Sequence, residues 1–279
     1  SSLGLDVGHL KQLFEEQRPS VLVMVHVLGH PNAMDQIRQL ATEHDVIVIE
    51  DACEALGSSS PDGRALGTHG LAGTFSFYYG HHISTIEGGM VVTDDFELYQ
   101  LMLSIRSHGW SRDLDGGVQR RLTEAHNVDD FRNLYTFYYE GFNLRPTDLH
   151  AFIGRSQLVG LQRLVDTRQR NFFQYRTELS GYWSQDSEFG TLSSFAYGTL
   201  LKNPAETAAA LSRHGIESRP LICGNIGRHP FWTRKNGPQA LPNADRVHDF
   251  GIYLPNHAEL SSAQVTYVSD VFRTVAVPL

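Results

Sequence analysis

The first fifty residues alternate strand and helix patterns, and this alternation limits the folds that the chain can adopt. Residues 21–27 (VLVMVHV) and 46–49 (VIVI) form two apolar, β-branched runs of a length typical of buried strands. Between them, apolar residues recur at helical spacing from Asn32 to Ala41. A strand, a helix and a second strand in this order predict a right-handed crossover and a parallel sheet. We therefore expect an α/β fold.

The same sheet is predicted to contain at least two more strands. Residues 73–78 (GTFSFY) and 90–93 (MVVT) have strand composition and lie beside glycine or acidic turn residues. A helix is predicted from Asp95 to about His108. The polar stretch 111–130 shows little periodicity, and we interpret it as a mobile or substrate-covering loop.

A second domain is predicted after a long helical pattern that runs from Thr147 toward Leu179. Beyond it the predicted elements are a strand near 195–201 and helices at 204–214 and 261–274, joined by proline-containing loops. We place the domain boundary near residue 175. Residues 1–175 are then a large α/β domain, and residues 176–279 are a smaller α/β domain.

Composition and motif content narrow the function classes. The formal net charge is −8 at pH 7, so no nucleic-acid partner is expected. Two cysteines are too few for a disulfide framework, and they lack the CxxC spacing of zinc or iron–sulfur sites, so a reducing cytoplasm is favoured. No apolar run reaches membrane-spanning length, so no membrane association is expected.

The common nucleotide, metal and hydrolase motifs are absent from the sequence. There is no GxGxxG or P-loop signature, and no GxSxG elbow that would indicate a serine hydrolase. The 14 histidines are scattered without an HExxH pattern, so no metal site is expected.

Polar residues at the ends of two predicted strands are candidates for ligand contact. Asp51 and Glu54 follow the VIVI run, and the carboxyl ends of parallel strands face the ligand crevice. Asp51 is equally suited to cap a following helix. Ser76 lies inside an apolar strand and is followed by His81 and His82, a pair that is often structural.

Four segments resemble the DegT/DnrJ/EryC1/StrS family of pyridoxal-phosphate enzymes that act on nucleotide-linked keto sugars. They are IEDACEALGS, GTFSFYYGHHISTIEGGMVVTDD, IRSHGW and GFNLRPTDLHAFIGRSQL, in the family's order and at its spacing. The resemblance implies an aspartate-aminotransferase-like fold of type I, with a mostly parallel large domain, a small C-terminal α/β domain and a homodimer with shared active sites. Family members extend further upstream, so it also implies that an N-terminal part of the large domain lies outside this sequence.

The resemblance assigns cofactor-binding roles to four residues. Asp51 matches the carboxylate that pairs with the protonated pyridine nitrogen, which keeps the ring an electron sink. Glu54 stands where a glutamine usually lies near the ring hydroxyl. Ser76 matches a ligand of the cofactor phosphate, and Asn143 matches a residue that reaches the phosphate in the neighbouring subunit.

The family's aminotransferases carry a lysine at the position of His81, and this difference bears on the reaction. The only lysines are Lys11, Lys202 and Lys235, none of them near the motif. One branch of the family makes the same replacement: 3-dehydratases that use pyridoxamine phosphate, reloaded from glutamate, on a nucleotide-linked 4-keto-6-deoxyhexose. Histidine titrates near neutral pH and suits acid–base catalysis there. Two unclustered cysteines favour the members of this branch that lack an iron–sulfur cluster.

The C-terminal run ESRPLICGNIGRHPFW also resembles that branch and makes Arg219, Asn225 and Arg228 candidate contacts to the substrate or amino donor. Surface arginines beside proline turns are an equally good interpretation of the two arginines. His108, in IRSHGW, is a further substrate-facing candidate. Two other functions remain open: an aminotransferase that works without the usual lysine, and a catalytically silent member that binds the cofactor.

Overall fold

The computed structural model describes residues 2–279 and contains two sheets surrounded by helices. The strands are β1 (Val21–Val25), β2 (Ile47–Asp51), β3 (Ala72–Ser76), β4 (Gly89–Val92), β5 (Ala196–Leu200), β6 (Arg219–Pro220) and β7 (Gly251–Pro255). The helices are α1 (Val7–Gln17), α2 (Met34–Glu43), α3 (Phe96–Arg106), α4 (Gly116–His126), α5 (Asp130–Asn133), α6 (Asp148–Leu158), α7 (Leu161–Glu178), α8 (Pro204–Arg213), α9 (Pro230–Asn236), α10 (Pro242–Phe250) and α11 (Ser262–Val275).

The first sheet has the order β1-β2-β3-β4. Strands β1, β2 and β3 are parallel, as the sequence predicts, and β4 returns antiparallel to β3. Helices α1 and α2 cover one face, where Phe14, Met24 and Ile37 form a closed apolar core. Because β2 and β3 run in the same direction, Asp51 and Ser76 end at the same edge of the sheet.

The second sheet is antiparallel, in the order β5-β7-β6. Helices α7 and α11 pack against it, and Phe172, Tyr175, Tyr197 and Phe272 are buried between them. Phe172 and Tyr175 of α7 and Leu179, which follows the helix, all lie in this core, so the C-terminal half of α7 is packed against the second sheet. The division into domains near residue 175 stays a prediction.

Two regions differ from the sequence expectation. The prediction of a loop at 111–130 is wrong, because this stretch contains α4. The helix begins after Asp115, whose side chain accepts a hydrogen bond from Gly117 N at 2.8 Å. Val118 is the only residue of α4 that is buried, and the helix sequence is mostly polar. The long helix predicted from Thr147 is two helices, α6 and α7, separated at Val159 and Gly160.

Within residues 2–279, no helix combines the length and the apolar character that a membrane crossing requires.

Candidate active site

Asp51 stands at the carboxyl end of β2, opposite Thr74 of β3. Its side chain is half-buried, and Oδ1 accepts a hydrogen bond from Cys53 N at 3.0 Å. The residues that follow form turns, and the next helix in the described chain is α3, so Asp51 caps a turn and the helix-cap interpretation is wrong. An ionised carboxylate at this edge is suited to pair with a cationic ring nitrogen of a ligand.

His81 lies in the loop that joins β3 to β4, which is closed by a hydrogen bond from Phe77 N to Gly88 O at 2.9 Å. Gly88 has φ +154, and a Cβ there would lie 2.3 Å from Thr85 Oγ1. The loop therefore needs glycine to fold back at this point. Ser76 supports its beginning, because its hydroxyl accepts a hydrogen bond from Tyr78 N at 3.2 Å.

The imidazole of His81 is half-buried between two aromatic rings, with centroids 5.8 Å from Tyr78 and 5.5 Å from Phe195. Burial lowers the pKa of His81, the negative charge of Asp51 opposes this shift, and the positive charge of Arg168 adds to it. The side chain is therefore mainly neutral at pH 7 and has a free lone pair. Its Nδ1 is buried and has no hydrogen-bond partner among the described residues. The negative charge of Asp51 thus favours the charged form of His81, while burial favours the neutral form.

The surroundings of His82 differ from those of His81. It is 5% exposed, and its Nε2 donates a hydrogen bond to the carbonyl oxygen of Ser193 at 2.9 Å. Burial lowers the pKa of this imidazole to about 3, so it stays neutral. His82 therefore anchors the loop to the segment before β5 and leaves His81 as the histidine on the Asp51 side.

Glu54 is the second acidic residue of this edge. Its Oε2 accepts a hydrogen bond from Leu28 N at 2.8 Å. Burial raises the pKa of the carboxyl group, and the nearby charge of Asp51 raises it further. The carboxyl group of Glu54 therefore holds its proton to higher pH than an ordinary glutamate does.

Arg219 reaches the neighbourhood of Glu54 through Tyr253. In the second sheet Arg219 pairs with Tyr253, and the charges of both Arg219 and Glu54 act on that phenol, whose pKa burial raises. The guanidinium is exposed and forms an ion pair with Glu217 at 2.7 Å. A surface ion pair of this kind is weak, so Arg219 is available to an anionic ligand.

Asn225 and Arg228 are engaged with other side chains of the C-terminal region. Asn225 is 1% exposed, and its Nδ2 donates to Gln239 O and to Asp245 Oδ1 at 3.0 and 2.9 Å. Arg228 pairs with Asp249 at 2.8 Å. These contacts give both residues structural tasks, and their assignment to substrate binding stays a prediction.

Asn143 and His108 lie next to each other on a different segment. Ser107 pairs with Asn143 in an antiparallel bridge, and His108 N donates to Phe142 O at 2.7 Å. The His108 ring lies against Trp110 with centroids 4.9 Å apart, and the side chain of Asn143 is exposed. No hydrogen bond among residues 2–279 connects Asn143 or His108 to the edge that carries Asp51 and Ser76.

Three residues that sequence analysis did not single out complete the surroundings of His81. Arg168 and His257 line a cleft of about 390 Å³ together with His81 and His82, and Phe195 covers one side of the imidazole. The sequence pattern indicates that Arg168 is unusual, because it lies on the apolar face of α7 between Val165 and Phe172, which are both buried. A charged residue at such a position is rarely buried without a specific partner.

The groups at this edge of the sheet fit a pyridoxal-phosphate cofactor. Asp51 provides a half-buried carboxylate, Ser76 ends the adjacent strand with a hydroxyl, and Glu54 adds a carboxyl group whose pKa is raised. The carboxylate of Asp51 fits a cationic ring nitrogen, the hydroxyl of Ser76 fits a phosphate, and the carboxyl group of Glu54 fits a ring hydroxyl. In the chain from residue 2 onward, no group of three His, Cys, Asp or Glu side chains could hold a metal ion.

Fold and site together define a fold type I, aspartate-aminotransferase-like α/β protein. Residues 1–273 match the DegT/DnrJ/EryC1/StrS aminotransferase family, and the chain belongs to this family. Its sequence is 31% identical to GDP-4-keto-6-deoxy-D-mannose 3-dehydratase of Escherichia coli O55:H7 over 286 residues, which covers 98% of this chain and 72% of that enzyme.

Two solved structures of the same enzyme superpose closely. The E. coli 3-dehydratase with bound hydrated PLP has a TM-score of 0.87 at 30% identity, and the alignment covers 97% of this chain and 71% of the other. A 3-dehydratase with a trapped PLP-glutamate geminal diamine has a TM-score of 0.84 at 29% identity, with 97% and 72% covered. The fold predicted from the sequence resemblance is confirmed.

Proposed function

We propose that this chain is a PLP- or PMP-dependent dehydratase that removes the C3 hydroxyl of a nucleotide-linked 4-keto-6-deoxyhexose, with His81 as its acid–base residue. The observation that carries the proposal is the environment of His81. A neutral imidazole lies within the electrostatic reach of Asp51, at the sequence position where the family's aminotransferases have lysine. The similarity to 3-dehydratases supports the same reaction class.

The cofactor, when bound, supplies the conjugated ring that takes up electrons released at the substrate. Asp51 keeps that ring protonated, because its carboxylate stabilises the positive charge on the ring nitrogen. Glu54 would lie near the ring hydroxyl, and Ser76 together with Asn143 of a second copy would bind the phosphate. Amino-group transfer also needs a donor, for which we propose glutamate, in line with the glutamate adduct of the related enzyme.

His81 holds and moves the proton. Its lowered pKa keeps the imidazole unprotonated at pH 7, so it can remove a proton from the substrate–cofactor complex. Once protonated, the imidazole of His81 is stabilised by the charge of Asp51 and can return the proton to the departing 3-hydroxyl, which leaves as water. The amino group supplied with the cofactor would then leave the product as ammonia on hydrolysis, and the donor would replace it. Arg219 is proposed to contact the substrate beside Glu54, with His108, Asn225 and Arg228 as further candidates.

We also propose that the protein works as a homodimer in the cytoplasm. Large apolar side chains are exposed within residues 131–159, a set that we call the apolar patch: Phe131, Leu134, Tyr135, Phe142, Leu149, Phe152 and Val159. So many large exposed apolar side chains in one part of the chain favour an interface there. Asn143 lies within it, which is where a residue shared with a second copy belongs. Both cysteines are free thiols, as suits a reducing compartment.

The reaction is tested with purified protein, PMP, glutamate and GDP-4-keto-6-deoxymannose, by measuring ammonia release and product mass. A 3-deoxy sugar is expected for the wild type, and His81→Asn is expected to reduce turnover by roughly 10²- to 10⁴-fold, the usual contribution of acid–base catalysis. His9→Asn, at an exposed position of α1, is the matched control. An amino sugar as product would identify an aminotransferase, and unchanged turnover of His81→Asn would refute the role of this residue.

A further inference from the structure

Among residues 2–279, no hydrogen bond orients the imidazole of His81. Its Nδ1 is buried and has no partner, and the ring lies between the aromatic rings of Tyr78 and Phe195. Aromatic neighbours restrict the space around an imidazole, but they do not fix the direction of its nitrogens as a hydrogen bond does. The position of His81 therefore depends on how firmly the main chain of its loop, residues 77–88, is held.

Gln157 of α6 holds this loop at Ser84. Its Oε1 accepts a hydrogen bond from Ser84 N at 2.9 Å, and its Nε2 donates a hydrogen bond to Ser84 O. Within the described chain these are the only hydrogen bonds of the two main-chain groups of Ser84. A side-chain amide can satisfy both groups of one residue because it offers a donor and an acceptor. The two hydrogen bonds thus fix the backbone three residues after His81.

Helix α6 approaches the loop closely at the same place. Gly154, one turn before Gln157, is the only buried residue of α6. A Cβ at Gly154 would lie 3.0 Å from Thr85 Cγ2, so the helix and the loop are in direct contact beside Ser84. Thr85 N in turn donates to Phe77 O at 2.9 Å. Gln157 therefore joins α6 to a part of the loop that is itself closed by a main-chain hydrogen bond.

The loop has a second anchor at His82, whose Nε2 donates to Ser193 O at 2.9 Å. The two anchors come from different parts of the chain, because Ser193 precedes β5 and Gln157 belongs to α6. Gln157 lines the same cleft as His81, but both of its polar atoms are bound to Ser84. This arrangement suits a residue that acts on His81 through the main chain.

We propose that Gln157 is a positioning residue for the acid–base step: by holding Ser84 against α6, it keeps the His81 imidazole where it can reach the proton that it transfers. The proposal rests on the proposed function, in which His81 moves that proton. Proton transfer is sensitive to geometry, since a displacement of about 1 Å can lower a rate by a factor of about 10². Loss of the two hydrogen bonds is therefore expected to affect turnover more than substrate binding.

The first measurement does not depend on the reaction. The full chain is prepared with isotope-labelled histidine, and the pKa of His81 is followed by NMR, with His81→Asn identifying its signal. Gln157→Met keeps the length of the side chain and loses both hydrogen bonds. The loosened loop is expected to let the pKa of His81 rise toward the ordinary value for histidine, because burial is the main cause of its lowering. Gln162→Met, at an exposed position of α7 outside the cleft, is expected to match the wild type.

The second measurement is steady-state kinetics with PMP, glutamate and GDP-4-keto-6-deoxymannose. Gln157→Met is expected to lower kcat roughly 10- to 100-fold with little change in KM, because a misplaced base affects the transition state and not the binding of substrate. An unchanged pKa of His81, an unchanged kcat, or an effect on KM alone would each overturn the proposal. If the pKa shifts as expected but the wild type does not convert the sugar, the anchor at Ser84 is confirmed and the proposed function is refuted.

Gln157→Glu is the second variant and decides the question if Gln157→Met does not fold, as judged by circular dichroism. An ionised glutamate can accept from Ser84 N but cannot donate to Ser84 O, whereas its protonated form can do both. The kcat of this variant, relative to that of the wild type at the same pH, is therefore expected to rise as the pH falls through the pKa of the introduced carboxyl group. A ratio that does not change with pH would overturn the proposal.

Discussion

The imidazole of His26 lies 2.9 Å from the carboxylate of Glu50, and neither side chain has any exposed surface. Glu50 also accepts hydrogen bonds from the backbone N–H groups of Gly67 and Gly70, at 2.8 and 2.7 Å. On the other side, His26 N donates to the carbonyl oxygen of Asp51 at 3.0 Å. The end of β2 is therefore held from two directions, and this places the carboxylate of Asp51 at the edge of the sheet.

Glu50→Ala is expected to destabilise the protein strongly, because it leaves His26 and several buried N–H groups without an acceptor. A buried hydrogen-bonding group left without its partner costs about 1–3 kcal/mol, and several such groups are affected here. Urea denaturation followed by circular dichroism measures the change in the free energy of unfolding. Glu15→Ala is the control: its pair with Lys11, at 4.0 Å on the surface of α1, is expected to contribute less than about 1 kcal/mol. Equal losses of unfolding free energy in the two variants would contradict the proposal that Glu50 stabilises the end of β2.

The edge that carries Asp51 was predictable from sequence, because Asp51 follows a strand pattern and parallel strands end together. Ser76 was predicted inside the strand 73–78, and the structure ends β3 at this residue. The position of His81 beside Asp51 could be predicted only from the family resemblance, because the twelve-residue loop that carries it shows no periodicity. The pairing of Asn225 with Asp245 was beyond sequence analysis, because it joins segments that only tertiary folding brings together. The same holds for the contact of Arg168 with Asn256.

Two buried histidines make the stability dependent on acid pH. Burial lowers the pKa of His30 and of His82 to about 3, with smaller contributions from the charges of Arg176 and Arg168 respectively. In the unfolded chain these imidazoles regain their ordinary pKa of about 6.5, so the unfolded state binds more protons between pH 6.5 and pH 3. Their neutral forms are compatible with folding above pH 6.5, and stability is lost as the pH falls below it.

The expected loss is about 1.4 kcal/mol per pH unit for each histidine in that window. Urea denaturation of the wild type and of His82→Asn at several pH values between 7 and 5 measures it. Asparagine can still donate a hydrogen bond to Ser193 O but does not titrate, so the variant is expected to show a shallower pH dependence. A variant slope equal to that of the wild type would show that His82 is not the titrating group.

Asp51→Asn tests the proposed pairing with the cofactor ring. The asparagine oxygen can still accept the hydrogen bond from Cys53 N, so the turn after β2 is expected to fold unchanged. The negative charge is lost, and the pKa of a paired cationic ring falls by about 1–3 units when its carboxylate partner is removed. We expect weaker PLP binding in a spectral titration and a half-reaction with glutamate that is slower by roughly tenfold or more. Asp35→Asn, exposed in α2, is expected to behave like the wild type.

The apolar patch is expected to hold two copies together. Phe152 is 74% exposed on α6, and a charge at its position would be buried in the proposed interface. Phe152→Asp is therefore expected to weaken dimerisation by at least about 2 kcal/mol, the scale of a buried aromatic interface residue. Light scattering over a dilution series measures this shift. Phe231→Asp is the control, since Phe231 is 64% exposed on α9 outside the patch; a wild type that is monomeric at all concentrations would refute the proposed dimer.

Shared active sites make a stronger prediction, because Asn143 is proposed to serve the site of the other copy. His81→Asn and Asn143→Asp are each expected to be inactive as pure dimers. If His81 of one copy works with Asn143 of the other, a dimer containing one copy of each variant has one site in which both residues are intact. After subunit exchange of equal amounts, half of the dimers are mixed and each has one such site, so about a quarter of wild-type activity is expected to return. If both residues served the site of their own chain, every site in the mixed dimer would carry one of the two substitutions, and mixing would restore no activity.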